Sequence, residues 1–210
     1  MTDNANVTIT RFVAGPIDTN MYVVSDKAGH AVVFDPSRGC GEALGYIADH
    51  KLQLGGIILT HGHFDHLLGV DEIRAEHEVD VWVHPAEKAL VRQSGLNGSD
   101  IMGLSYFYGG PLRELNEGDM EIGGIAMRVL HVPGHSPGGC AFLIGKDLIC
   151  GDALFAGSVG RADLPGGNFE QLIAAIKEKL LTLPSDTVVW PGHGNRTTIG
   201  RETRLNPFLV

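Results

Sequence analysis

Cysteine is scarce in this 210-residue chain, with only Cys40, Cys140 and Cys150. Three widely spaced thiols build no disulfide framework, so the fold must be held by a core. Basic charge is also short: 16 Lys and Arg stand against 25 Asp and Glu, a formal net charge of −9. That deficit argues against polyanionic partners, nucleic acids and anionic membranes alike. Aromatic residues make up 7% of the chain, charged residues 20% and hydrophobic residues 43%. These shares set aside disordered and fibrous classes and suffice for one good core. No apolar run approaches the roughly 18 residues of a membrane span. The opening Met1-Thr-Asp-Asn-Ala-Asn has no basic region followed by an apolar run, so no leader is expected. The expectation is a cytoplasmic protein, organised as a single domain over residues 1–210.

Glycine is what the chain has in excess, at 29 residues. Without a repeat, that excess points to tight turns and close backbone approaches, and so to a protein whose working parts are loops.

Strand-like segments at 7–13, 21–25 and 31–35, with a turn at Lys27-Ala28-Gly29, predict an antiparallel meander. A short helix is expected over 42–50, then a buried strand at 57–59 that runs into His61. A helix over 67–76, a strand at 81–83 and a helix from Pro85 follow. Periodicity is lost from 95 to 111, which reads as loop. The second half restarts with strands at 120–122 and 125–131 and a hairpin pairing 140–144 with 148–150. The clearest helix is 169–181, where Phe169, Leu172, Ile173, Ile176 and Leu180 repeat at helical spacing behind an Asn168/Gln171 capping box. A last strand, 187–190, leads into Pro191-Gly-His-Gly194. Strands then strand–helix units, in both halves, predict helices packed outside stacked sheets.

The chemistry concentrates in His61-Gly-His63-Phe-Asp65-His66, three imidazoles and a carboxylate where a strand gives way to a turn. Imidazole nitrogen with carboxylate oxygen suits zinc, iron or manganese. Three single residues repeat the placement. His135 in Pro133-Gly-His-Ser-Pro137, Asp152 in Cys150-Gly-Asp152 and His193 each follow a small residue just after a strand. Any one alone reads more readily as a polar loop residue; four such loops together read as a metal site.

His61-x-His63-x-Asp65-His66, followed by His135, Asp152 and His193, resembles the metallo-β-lactamase superfamily. Across nearly the whole chain the resemblance is to the short glyoxalase-II-like hydrolases, carried further by the stretches from Gly151 to Gly167 and from Thr198 to Leu209. It implies an α/β fold, a four-layer αββα sandwich with the metals at one sheet edge. It implies one ion on His61, His63 and His135, a second on Asp65, His66 and His193, and Asp152 bridging them. The implied cofactor is two divalent ions, zinc first, with iron or manganese as alternatives. Asp65 could then orient the attacking hydroxide or receive a proton.

Arg161, after Gly160, matches a position that in glyoxalase II carries a basic residue facing glutathione. It is the candidate for a substrate carboxylate; the alternative is a structural pair with Asp163. His30, His50, His77, His84 and His131 read as ordinary packing or solvated residues, and Cys150 as a small buried one. Tyr106, Phe107 and Tyr108 read as anchors of the central loop. The expected activity is hydrolysis of a thioester or related small acyl compound, with no nucleic-acid or membrane partner and the oligomeric state open. Only 17 residues follow His193, whereas full-length glyoxalase II has a C-terminal helical domain that contacts glutathione. Two alternatives share the fold: a single-iron glutathione persulfide dioxygenase using positions equivalent to His61, His135 and Asp152, and an acyl-homoserine lactonase.

Overall fold

The computed structural model describes residues 7–210; the N-terminal residues 1–6, read above for a leader, lie outside the described residues. The first half forms a sheet of β1 (Val7–Ala14), β2 (Thr19–Asp26), β3 (His30–Phe34), β4 (Gln53–Ile58), β5 (Val81–Val83) and β6 (Arg113–Glu114), paired in that order. The predicted meander is there: β1, β2 and β3 pair antiparallel, while β3, β4 and β5 run parallel. The second half forms another six-stranded sheet. It contains β7 (Gly118–Ile122), β8 (Ile125–His131), β9 (Cys140–Ile144), β10 (Asp147–Gly151), β13 (Val188–Pro191) and β14 (Thr197–Thr198), in the order 14-13-10-9-8-7. Between β10 and β13 lies a two-residue-strand hairpin, β11 (Leu154–Phe155) with β12 (Ser158–Val159).

Period-two alternation sends consecutive residues to opposite faces, and both faces of each sheet are covered. In β2 and β3, Tyr22, Val24, Val32 and Phe34 face the second sheet, where they meet Met127, Val129 and Phe142. Met21, Val23, Ala31 and Val33 point the other way, against Leu44 and Ile47 of α1 (Gly41–Asp49) and Val70 and Ile73 of α2 (Val70–Glu76). On the far side, Ala141, Leu148 and Val189 of the second sheet pack against Leu172, Ile176 and Leu180. The result is helix, sheet, sheet, helix, with three buried layers between. This is the four-layer arrangement expected.

Several boundaries differ from the sequence expectation. The helix expected over 67–76 is preceded by a 3₁₀ turn, Phe64–His66, and becomes α-helical only at Val70. The Gly69 amide is spent on Pro36 O rather than on the turn before it. The helix from Pro85 is a 3₁₀ turn, Pro85–Glu87, leading into α3 (Lys88–Arg92). The region expected as loop holds two short turns, α4 (Ser94–Asn97) and a 3₁₀ turn, Asp100–Met102. The long helix starts at the expected cap, with Asn168 Oδ1 accepting from Gln171 N at 3.0 Å. It is α5 (Phe169–Ala175) followed by a wider π turn, Ile176–Leu180. Leu172, Ile176 and Leu180 are buried together on the face turned to the second sheet. Phe169 is not part of it: at the helix start it is exposed, edge-on to Phe208. A terminal helix, α6 (Ile199–Leu205), capped by Thr198 Oγ1 on the Arg201 amide, was not anticipated. Among the described residues no helix is long and apolar enough to cross a membrane.

Candidate metal centre

Strands β3 and β4 are parallel, as are β10 and β13, so their carboxyl ends lie together at one edge of the two sheets. Asp35 follows β3, His61 follows β4, Asp152 follows β10 and His193 follows β13; the loop after β8 carries His135. All seven candidate ligands converge here. Gly192 permits the approach of the last strand: a Cβ at that position would lie 2.1 Å from Asp152 Oδ1 and 2.7 Å from His66 Cε1.

The ligating atoms form two groups, His61 with His63 and His135, and Asp65 with His66 and His193, each within 4.8 Å. In the first, His135 Nε2 lies 2.9 Å from His63 Nδ1 and 3.3 Å from His61 Nε2. In the second, Asp65 Oδ2 lies 3.0 Å from His66 Nε2 and 3.2 Å from His193 Nε2. Asp152 sits between the groups. Its Oδ1 is 3.4 Å from His66 Nε2, and its Oδ2 is 3.7 Å from His135 Nε2 and 3.5 Å from His193 Nε2.

The donor set can be tested for a cation through the outward-facing nitrogens. His135 Nδ1 faces the Arg161 carbonyl at 2.6 Å, and His193 Nδ1 faces the Asp18 carbonyl at 3.3 Å. Carbonyl oxygens only accept, so both Nδ1 atoms carry the proton and both Nε2 atoms present lone pairs inward. His66 Nδ1 likewise faces Asp35 Oδ2 at 2.9 Å. The Thr60 hydroxyl gives its proton to Asp35 at 2.7 Å and can therefore only accept from His61 Nδ1 at 3.0 Å. Four histidines thus turn Nε2 towards the centre, where each offers a lone pair in its neutral form. His66 Nε2 and Asp152 Oδ1 are buried with no hydrogen-bond partner in the protein, as is His63 Nε2, the nitrogen turned away from His135. Inward lone pairs and orphaned buried acceptors fit divalent cations.

Electrostatics separates the two groups. Burial, then the neighbouring imidazoles, holds His61 well below the ordinary histidine range and brings His63 down to about 3. Burial also lowers His135, against the pull of Asp152. The first group is three neutral imidazoles, the form that ligates. In the second, burial opposes charge but Asp65, Asp152 and Asp35 outweigh it and raise His66 well above its usual value. His193 is raised in the same way by its hydrogen bond to Asp65 and by Asp152. Asp65 and Asp152 are held below the carboxylate range, burial being outweighed by His66 and its neighbours.

Arg161 comes to the rim of the cluster, but its guanidinium grips Asp163 through Nε–Oδ1 and Nη2–Oδ2 contacts of 2.7 Å each. The pair named as the alternative is the one formed, and the Arg161 contact to the cluster is its main-chain carbonyl on His135. Tyr106 and Tyr108 act as anchors, the first donating to Asp71 at 2.8 Å and the second accepting from Arg74 at 2.6 Å. His84 and His131 stack on each other at 4.2 Å. Cys150 is buried, as expected.

Three supporting residues carried no sequence signal. Asp35 accepts from the Thr60 amide and hydroxyl, both at 2.7 Å, as well as from His66. Thr19 donates to Asp65 Oδ2 at 2.8 Å. Fully buried Glu87 accepts from the Gly62 amide at 2.6 Å and the Gly138 amide at 2.5 Å. It thereby ties the loop of His61 and His63 to the loop of His135. Above the cluster opens a cavity of 270 Å³.

A protein-family model described as the metallo-beta-lactamase superfamily matches residues 14–193. The probable metallo-hydrolase YqgX of Bacillus subtilis is 41% identical over 205 residues, covering 95% of this chain and 96% of its own. The hydroxyacylglutathione hydrolase GloC of Haemophilus influenzae is 34% identical over 195 residues, covering 90% and 92%. Of solved structures, the BLEG-1 B3 metallo-beta-lactamase superposes with a TM-score of 0.92 at 39% identity, over 96% of this chain and 99% of that one. The di-iron-bound form of TTHA1623 superposes with a TM-score of 0.86 at 39% identity, over 95% and 100%.

Proposed function

The chain belongs to the metallo-beta-lactamase superfamily, and from that membership we propose that it is a glyoxalase-II-like hydrolase that cleaves a thioester at a two-metal centre. The observation that carries this reading is the pair of three-ligand groups with one carboxylate between them. His61, His63 and His135 would hold one divalent ion; Asp65, His66 and His193 would hold the other, with Asp152 shared. Zinc is the first candidate, and the di-iron form of a similar structure keeps iron beside it. When bound, the two ions would make hydroxide available near neutral pH and draw charge from the carbonyl oxygen under attack.

The chain's own residues supply the rest. The Thr19 hydroxyl fixes Asp65 through Oδ2, holding a charged carboxylate at the cavity floor as the acceptor of the water proton. The water oxygen bonds to the carbonyl carbon, the carbon–sulfur bond breaks, and the thiol leaves with the electron pair. Thiolates are good leaving groups, with an ordinary pKa of about 8.5, so no strong acid is needed beside the sulfur. Arg161 stands on the rim with its guanidinium held by Asp163, so a polar arm of the substrate would have to compete with that pair for it.

A second reading is supported by one feature. His61, His135 and Asp152 make a two-histidine, one-carboxylate set of the kind that holds a single ferrous ion, as in the persulfide dioxygenases. A panel on metal-defined protein separates the readings: S-lactoylglutathione, an acyl-homoserine lactone, a cephalosporin and glutathione persulfide with oxygen electrode. Thioester turnover with two ions per chain is expected. Oxygen uptake on the persulfide by protein holding one iron sinks the hydrolase reading.

A further inference from the structure

The cavity over the metal centre has a wall of a different chemistry from its floor. Ile17, Ile101 and Met102 are 42%, 78% and 46% exposed, and all three line that 270 Å³ space, joined by Leu164. Ile17 comes from the turn between β1 and β2, Ile101 and Met102 from the turn Asp100–Met102, and Leu164 from the segment after β12. Three stretches distant in sequence each aim aliphatic side chains at one space. Ile101 stands largely in water, and Ile17 and Met102 are nearly half exposed, without the packing that a core position gives. Single exposed apolar residues need no account, but a contiguous set at the mouth of a reactive cleft marks a binding surface.

Charge points the same way. Among the described residues the one Lys or Arg lining the cavity is Arg161, and its guanidinium is already taken by Asp163. A substrate arm bearing carboxylates would find at the rim only a cation already neutralised by Asp163.

We infer that this wall is a subsite for an uncharged aliphatic arm, so that the chain takes acyl compounds with a hydrocarbon tail in preference to those with anionic arms such as glutathione's. The fate of the bound compound rests on the hydrolase reading above; the binding preference does not.

Two measurements on the metal-loaded full chain test this. The first is calorimetric binding of straight-chain carboxylates from acetate to octanoate. Affinity is expected to tighten about two- to fourfold per methylene, the range between half and full burial of a CH₂. The double variant Ile101→Asn, Met102→Gln changes only exposed side chains and should flatten that dependence. The second is kcat/KM in two thioester series, one lengthening the acyl chain on N-acetylcysteamine and one lengthening the thiol of an acetyl thioester. A rise in one series supports the subsite and identifies which arm lies on the wall. Affinity independent of chain length, a dependence that survives the double variant, or turnover flat in both series overturns the subsite. Chain-length-dependent binding with no thioester turned over leaves the subsite standing and removes the thioester reading.

Discussion

Glu87 offers the sharpest test of how the centre is held. Its carboxylate takes both the Gly62 and the Gly138 amides at 2.6 and 2.5 Å, inside the protein and away from water. Glu87→Ala leaves two buried N–H groups without an acceptor. At about 1–3 kcal/mol each, the loss is about 2–6 kcal/mol, less whatever is regained by no longer burying a charge. Glu87→Gln keeps the volume and one acceptor but turns an NH₂ towards the other amide, so about 1–3 kcal/mol is expected. Either variant stays folded if the protein has the usual 5–15 kcal/mol, roughly, of stability. The distinctive consequence lies in the metals. Glu87 braces the loop of Gly62, which carries ligands of both ions, and the loop of His135, which serves the first ion, but not the loop of His193. The first ion should therefore lose about 10- to 100-fold in affinity, the range for partners that orient ligands, and the second less, because its His193 loop and the Asp35 brace on His66 are untouched. Urea unfolding of apo and loaded protein, with chelator competition resolving two affinities, reads both effects. Equal loss at both sites, or a stability loss with both affinities unchanged, refutes the reasoning.

Asp152→Ala should bind fewer than two ions per chain by elemental analysis, since both groups lose their shared carboxylate; retention of two tight ions would refute the bridging role. Gly192→Ala should displace Asp152 or His66 and lower activity by more than tenfold with a measurable drop in Tm; wild-type activity would show that the strand end can yield. Asp35→Asn should weaken the second ion about 10- to 100-fold, measured by the same chelator competition, because a side-chain amide cannot accept from both Thr60 and His66. Affinity for metal should rise with pH. His66 and His193 hold their protons more tightly than a free histidine, and metal must displace those protons. Stoichiometric proton release on zinc binding checks the sign, and its absence between pH 6 and 8 would show that both are already neutral.

The fold and the centre were legible to different depths. Strands such as β2 and β3 declare themselves by β-branched runs, and the ligand cluster at 61–66 is local in sequence, so both survive without tertiary information. His135, Asp152 and His193 each follow a small residue at a strand end, a signal that singles them out only as a set beside the 61–66 cluster. The braces are not. Asp35, Thr19 and Glu87 are ordinary residues whose partners lie 25, 46 and 51 positions away, and their roles exist only once the sheets are stacked. Arg161 reads one way in sequence and another in space, because Asp163, two residues on, reaches it first.

Besides the shared Asp152, each proposed ion draws two ligands from the half of the chain that builds the first sheet and one from the half that builds the second. The ions are therefore clasps between the halves as well as reagents. Their order of completion is written in the chain: the first set closes once His135 and the shared Asp152 have arrived, the second only when His193 does. The strand before His193 is in turn pinned by Asn20 and Tyr22 on Pro191 O. The first ion can report that the sheets have met, and the second that the last strand has found its place beside them.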